Sequence, residues 1–279
     1  MLVLLVFAWQ LNTNITTSPT TISKTVNMQR QEFVQLLNEI MQPDRIKDFC
    51  PNGLQVQGSD TVNKIITGVT ASQALIDVAI EKGADTILVH HGYFWKNESY
   101  CITGIKHKRI KALLDNNINL VAYHLPLDIH EMLGNNVQLA KLLEIDVTGP
   151  LELGNPVSVA IQGELESAIS ADSFNARISA ALNRPSLHIA SASNKPIKTV
   201  AWCTGGGQGY IELAAEQGID AFISGEVSEQ TTHIAREMDI HFFAAGHHAT
   251  ERYGAKALGQ YLSDNHGFDV EFVDIDNPV

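Results

Sequence analysis

One pattern of buried strand, helix and buried strand occurs twice in this chain of 279 residues, and that repetition limits what it can fold into. Lys64-Ile-Ile-Thr-Gly-Val-Thr70 in the first half has its counterpart in Lys198-Thr-Val-Ala-Trp-Cys-Thr204 in the second. Gly83-Ala-Asp-Thr-Ile-Leu88 matches Gly218-Ile-Asp-Ala-Phe-Ile223, a step of 135 residues from 83 to 218. Ile118–Tyr123 matches Ile240–Ala245, and the residues just after these strands match too: His124-x-x-x-Asp128 against His247-x-x-x-Glu251, a step of 123 residues from 124 to 247. Agreement across three elements in order reads as an internal duplication of a βαβαβ-like unit. A histidine and a carboxylate then occupy the same place in each copy.

The elements themselves follow from periodicity. Lys64–Val69, Thr86–Val89 and Ile118–Tyr123 are continuous apolar runs, the mark of strands covered on both faces in a mostly parallel sheet. Glu32–Met41, Ser72–Lys82 (closed by Gly83), Lys106–Asn116 and Tyr210–Gln217 carry helical spacing, and Leu54–Gln57 reads as a short strand. Thr148–Pro196, richer in Ser and Pro and with a strand signal at Val157–Ile161, reads as an inserted second lobe. The expected fold is therefore α/β and two-lobed, with duplicated strand–helix units and mostly parallel sheets. The expected division is 28–130 plus 242–279 for one lobe and 131–241 for the other.

Composition narrows the function classes. At 44% hydrophobic and 18% charged the chain is globular, and a net charge of −12 with no basic run disfavours a broad nucleic-acid face. Cys50, Cys101 and Cys203 form no CxxC pair, so they read as small buried hydrophobes in a reducing cytoplasm. Met1–Trp9 is apolar but too short to span a bilayer, and no Lys or Arg precedes Lys24. Residues 1–27 thus read as a disordered or spurious extension, with Met28 opening the protein and a cleaved signal as the alternative.

The chemistry gathers at strand ends. His90 and His91 close one strand, His124 and Asp128 follow a second, and His247 and Glu251 a third. Parallel strands bring such loops to one sheet edge, where α/β proteins form their sites. Imidazoles and carboxylates without thiolates suit Zn, Fe, Mn, Co or Ni, and six candidate ligands suit two ions rather than one. Adjacent His90 and His91 can share a site only if the strand has ended, which Gly92 permits. Thr204-Gly205-Gly206-Gly207 follows a strand and opens a helix, either as a tight turn or as a cradle of N–H groups for an anion. Glu226 takes the slot of His91 in the second copy, and Asn52-Gly53 reads as a turn only.

Pro51-Asn-Gly-Leu-Gln-Val-Gln-Gly58, Val89-His-His-Gly92, His124-Leu-Pro-Leu-Asp128, Thr204-Gly-Gly-Gly207 and Gly246-His-His-Ala-Thr-Glu251 resemble the GTP cyclohydrolase I type 2 homologs, or Nif-three-like proteins, from about Met28 to Val279. The resemblance implies a Nif-three-like fold, a toroidal homohexamer and two divalent ions per subunit. By motif position it implies His90, His91, Asp128, His247 and Glu251 as ligands, with His124 orienting ligands or shuttling protons and His248 outside the set. The family name implies hydrolytic opening of the guanine ring of GTP. The expectation is a metal-dependent hydrolase of a nucleotide or related heterocycle, with His124 and Glu226 moving protons and Gly205, Gly206 and Gly207 receiving a phosphate. The rival reading is a metal carrier or insertase, or a ring-shaped adaptor without turnover.

Overall fold

The computed structural model describes residues 26–279, so the reading of the first 25 residues lies outside the described residues. The first half runs β1 (Met28–Gln29), α1 (Arg30–Met41), β2 (Gly53–Val56), β3 (Thr61–Val62), β4 (Lys64–Thr70), α2 (Gln73–Glu81), β5 (Thr86–His91), α3 (Gly104–Asp115), β6 (Asn119–Ala122) and α4 (Leu125–Ile129). Next come α5 (Asn135–Leu143), β7 (Ile145–Pro150), β8 (Ile161–Ile169), α6 (Ala171–Leu182), β9 (Leu187–Ile189) and β10 (Ile197–Cys203). The chain ends with α7 (Ile211–Glu216), β11 (Ala221–Ser224), α8 (Glu229–Glu237), β12 (His241–Ala244), α9 (His247–His266) and β13 (Asp269–Phe272).

Two sheets result. The first has the order β13-β4-β5-β6-β2 and the second β7-β8-β10-β11-β12-β9, while β1 and β3 form a separate pair. In the first, β4, β5 and β6 are parallel neighbours; in the second, β10, β11 and β12 are. The duplication is visible bond by bond. Asp85 Oδ2 accepts from the backbone N–H groups of Asn63 and Lys64, at 2.9 and 3.0 Å. Asp220 Oδ2 accepts from those of Lys198 and Thr199, at 3.0 and 2.9 Å. The carbonyls of the same two aspartates receive the N–H groups of Asn119 and His241, so each ties the first strand of its unit to the third. The expected insertion supplies antiparallel flanks, β7 and β8 along one edge and β9 along the other.

Both faces of both sheets are covered, which is why the strands read as unbroken apolar runs. Ile66, Ile87 and Leu120 face α2 and α3, while their neighbours Ile65, Leu88 and Val121 face α1 and α9. In the second sheet Trp202, Ile223 and Phe243 pack with α5 and α6, and Ala201, Phe222 and Phe242 with α7 and α8. Truncating a buried phenylalanine of this kind costs about 3–5 kcal/mol. Helix α9 belongs to both lobes. Ala249 and Tyr253, in its first two turns, join the core of the second sheet, and Ala255, Leu258 and Leu262 join that of the first. No helix among the described residues is long and apolar enough to cross a membrane.

Four expectations are corrected. Strand β5 does not stop at Val89 but continues through His91, because β4 still pairs with it there (Thr70 opposite His91). Val157–Ala160 lie in a loop, and the strand begins at Ile161. The helix read as Tyr210–Gln217 is a tight turn over Gln208–Tyr210 followed by α7. Cys101 is exposed, unlike the buried Cys50 and Cys203.

The Asp220 clamp gives a stability prediction. Burial raises its pKa, but hydrogen bonds from Thr199 and Lys198 outweigh burial and hold the carboxyl below the ordinary aspartate value. A depressed folded pKa adds stability above the unfolded value of about 3.9, lost as pH falls through the folded one. Asp220→Asn should cost about 1.5–3 kcal/mol at neutral pH. Urea unfolding should show that deficit shrinking as the pH drops below 4.

Candidate metal centre

The site lies where β5, α4 and α9 meet at the carboxyl ends of the strands. β6 stops pairing with β5 at Val89 opposite Ala122, so His90 and His91 project past its end. His90 is fully buried, and its Nδ1–H donates to the Tyr123 carbonyl at 3.1 Å, which leaves Nε2 facing the interior of the site. His91 is fixed by a 3.3 Å contact between Nδ1 and Thr70 Oγ1. The two rings lie 4.4 Å apart, centroid to centroid, so they share one site although the strand runs through both.

Asp128 sits on the short helix α4, whose first turn closes through Leu127 and Asp128 N–H groups on the His124 carbonyl. Its Oδ1 accepts from Asn135 Nδ2 at 2.9 Å and Thr204 Oγ1 at 3.2 Å. His247 and Glu251 are one turn apart on α9 and therefore on one face. Glu251 fits only because residue 205 is glycine: a Cβ there would stand 2.0 Å from Glu251 Oε1 and 3.0 Å from His247 Nε2, at a backbone φ of +63°. Gly225, in the slot matching His90, is needed for a related reason, since a Cβ would lie 2.6 Å from the Cα of His247.

Glu251 is 3% exposed and presents one oxygen to each half of the site. Oε1 lies 3.5 Å from His90 Nε2, and Oε2 lies 3.2 Å from the Nε2 atoms of both His91 and His247. His90 Nε2 is also 3.6 Å from Asp128 Oδ1. Despite this proximity, His90 Nε2 and Glu251 Oε2 have no hydrogen-bond partner. Buried polar atoms that crowd together without bonding one another are arranged around a point in space, as ligands of a cation are. Among the described residues, two such groups contain Glu251, His90–Asp128–Glu251 and His91–His247–Glu251, each with ligand atoms within 4.8 Å of one another, and a third of the same span joins His124 to His90 and His91.

The electrostatics agree. Burial opposes protonation of His90, yet Asp128 and Glu251 outweigh it and push its pKa up to about 9. The nearby Glu251 carboxylate is the largest influence on His247, also raised to about 9 against the pull of burial. His91 falls to about 3 through burial and the charge on His90. Burial favours the neutral form of Glu251, but His90 and His247 hold it ionised, while burial dominates Asp128 and raises it. The site is a paired-carboxylate cavity that attracts positive charge.

The remaining expected residues surround this core. His124 lines the same cleft, its ring centroid 5.0 Å from that of His90 and 5.7 Å from that of His91. Glu226 Oε1 lies 2.6 Å from His247 Nδ1, so it orients that imidazole instead of lying free in solvent. Gly206 and Gly207 line the cleft, whereas the Gly205 N–H is engaged by Thr250 Oγ1 at 3.0 Å. His248 turns away to Asp274 at 2.7 Å. Asn52 is more than a turn residue: its Oδ1 accepts the His124 N–H at 2.8 Å. Sequence reasoning missed Asp48, Trp95 and Asn135 and took Thr204 only as part of the glycine-rich run; Asp48, Trp95 and Thr204 reach their partners from distant segments, and Asn135 reaches Asp128 from seven residues on. The cleft above the site measures about 920 Å³, and Lys47, Phe49, Trp95, Glu152, Asn155 and Tyr210 are among the residues that line it.

With this geometry in place, comparison with known proteins is decisive. The family model described as Duf34/NIF3 (NGG1p interacting factor 3) matches residues 28–278. The chain belongs to the Duf34/NIF3 family. A Vibrio cholerae relative, named GTP cyclohydrolase 1 type 2 homolog, is 60% identical over 253 residues that span 90% of this chain and 100% of the relative. The Escherichia coli K12 protein of that name is 53% identical over 252 residues, with the same coverage. Among solved structures, that of ybgI, a structural-genomics target of unknown function, superposes with a TM-score of 0.87 at 52% identity, over 90% of this chain and 100% of that one. The Duf34/NIF3 fold and the duplicated two-lobed architecture are thus shared over residues 28–278.

Removing one charge tests the electrostatic account. In metal-free Glu251→Gln the pKa values of His90 and His247 should both fall from about 9, as followed by histidine NMR titration. Unchanged values would show that Glu251 is not what sustains their charge.

Proposed function

We propose that this protein holds two divalent metal ions per chain and uses them as a metal-dependent hydrolase of a nucleotide or related heterocycle. The observation that carries the reading is the shared carboxylate: two separate ligand groups, His90–Asp128–Glu251 and His91–His247–Glu251, meet at one buried glutamate. Imidazole and carboxylate donors without a thiolate fit Zn, Fe, Mn, Co or Ni. When bound, a pair of such ions supplies Lewis acidity and lowers the pKa of water into the physiological range.

The chain's own residues supply the rest. Asn135 and Thr204 aim Asp128, and Glu226 aims His247, so the ligands are held before any ion arrives. His124 opens on the cleft beside His90 and moves a proton at its Nε2. Glu226 is then a positioning carboxylate, with its own proton-moving role confined to what it does through His247. Among the described residues, Lys47 is the one lysine or arginine lining the cleft, which the acidic Glu152 also lines. A substrate phosphate would therefore rely on the N–H groups of Gly206 and Gly207 and on the ions. We assign the metal-binding lobe to 28–130 with 242–279 and the second lobe to 131–241, with β12 and the first turns of α9 crossing that boundary to pack in the second sheet, in a toroidal cytoplasmic homohexamer. The relatives named GTP cyclohydrolase 1 type 2 homolog support GTP as the first substrate to screen.

One observation favours the carrier reading: the His247 side chain is 30% exposed, which opens one ligand group to exchange. Metal analysis and turnover separate the two. Elemental analysis of protein beginning at Met28 should find about two ions per chain, with loss in His247→Ala and in Asp128→Ala. A hydrolase keeps these ions against a competing chelator while consuming substrate; a carrier surrenders them and turns nothing over. No ion bound, and none taken up on reconstitution, would remove both readings and favour the adaptor. Uptake should also depend on pH with a fixed sign. His90 and His247 hold protons below about 9, and a cation must displace them. Affinity should therefore weaken as pH falls from 9, with proton release measurable by calorimetry in two buffers.

A further inference from the structure

Asp48 has no place in the ligand set and does not line the cleft, yet its side chain is only 3% exposed and points at the back of His124. Four N–H groups converge on it. Oδ1 accepts from His124 Nδ1 at 2.7 Å and from the Phe49 backbone at 2.6 Å. Oδ2 accepts from Asn52 Nδ2 at 2.9 Å and from the Leu125 backbone at 2.9 Å. Three of these donors, the Phe49 and Leu125 backbones and the Asn52 amide, are fixed in role whatever the state of His124, and three such bonds favour the ionised carboxylate, which can only accept. The hydrogen between Asp48 and His124 then sits on Nδ1. The Asn52 amide fixes the backbone of His124, and the Trp95 ring, itself tied through Nε1–H to the Gly92 carbonyl, packs at 83° against the imidazole with centroids 4.8 Å apart. Every edge of the histidine is held except the one bearing Nε2.

A cation between Asp48, Cys50 and His124 is the competing explanation, since ligand atoms of these three lie within 4.8 Å. The saturated carboxylate argues against it. So does the thiol, which burial and then the Asp48 charge push up to about 12, away from the thiolate a metal needs.

We propose that Asp48 is a positioning residue that locks His124 as its Nδ1–H tautomer, so that the Nε2 lone pair faces the cleft beside the His90–His91 pair. The purpose of this arrangement rests on the proposed proton-carrying role of His124; the tautomer itself does not. An imidazole free to flip or to exchange tautomers would at times present a hydrogen where the site needs an acceptor. A buried carboxylate behind the ring removes that choice.

The test is a long-range proton–nitrogen correlation spectrum of the metal-free full chain labelled with nitrogen-15 histidine, at an alkaline pH where a free imidazole is neutral. The wild-type protein should show His124 protonated at Nδ1 alone. In Asp48→Asn, whose amide can donate to Nδ1, the signals should shift to Nε2–H or to a mixture, with the other site histidines unmoved. An Nε2–H tautomer in the wild-type protein would overturn the proposal, and so would an unchanged His124 spectrum in a folded Asp48→Asn variant. If that variant does not fold, the wild-type spectrum decides alone. Failure of the protein to take up metal would remove the hydrolase reading and leave this spectrum's meaning intact.

Discussion

A single buried carboxylate, that of Glu251, organises the molecule's chemistry. It stands among three imidazoles with one oxygen turned to His90 and the other to His91 and His247. Placing an ionised group at 3% exposure is costly unless positive charge surrounds it. Much of the surrounding structure answers that demand. Residue 205 is glycine because a methyl group there would collide with the carboxylate, and Thr250, next to Glu251 in sequence, holds the Gly205 backbone in place. Helix α9 carries Glu251 while its two ends pack into different lobes, so the position of the carboxylate depends on how the lobes meet.

The duplication explains how such a site arises and also why it is asymmetric. Each unit follows its third strand with a histidine and, four residues later, a carboxylate. In the second copy both reach the centre, one turn apart on a helix of 20 residues. In the first copy Asp128 reaches it, but His124 is drawn back onto Asp48 and left on the cleft wall. The second strands diverge as well. The first copy ends in His90-His91, whereas the second has Gly225, which lets α9 pass close by, and Glu226, which grips the outer nitrogen of His247. At the second strand, one scaffold thus yields two candidate ligands in the first copy and the support of a candidate ligand in the other.

Much of this was legible in the sequence, and what was not has identifiable causes. The parallel strands were plain because both faces are buried, which makes Ile65–Val69 mostly and Ile87–Val89 wholly apolar. The five residues His90, His91, Asp128, His247 and Glu251 converge as strand ends in a parallel sheet should. The helix bearing His247 and Glu251 was hidden by its glycines and polar residues, since Gly254 and Gly259 are there for close packing against Asn135 and Thr67. The expectation that the strand must end before His91 failed because an unpaired edge, and not a strand end, is enough to let adjacent rings meet. Asp48 could not be found by spacing, because it reaches His124 from 76 residues away through a segment that no local pattern connects to it.

The central claim is that Glu251 is shared between two ions. Anomalous diffraction from crystals loaded with a single divalent transition metal tests it most directly. The account predicts two peaks about 3.5–4 Å apart, one beside His90 and Asp128 and one beside His91 and His247, with the Glu251 carboxylate between them. A single peak, or two peaks of which either lies out of reach of Glu251, would contradict it.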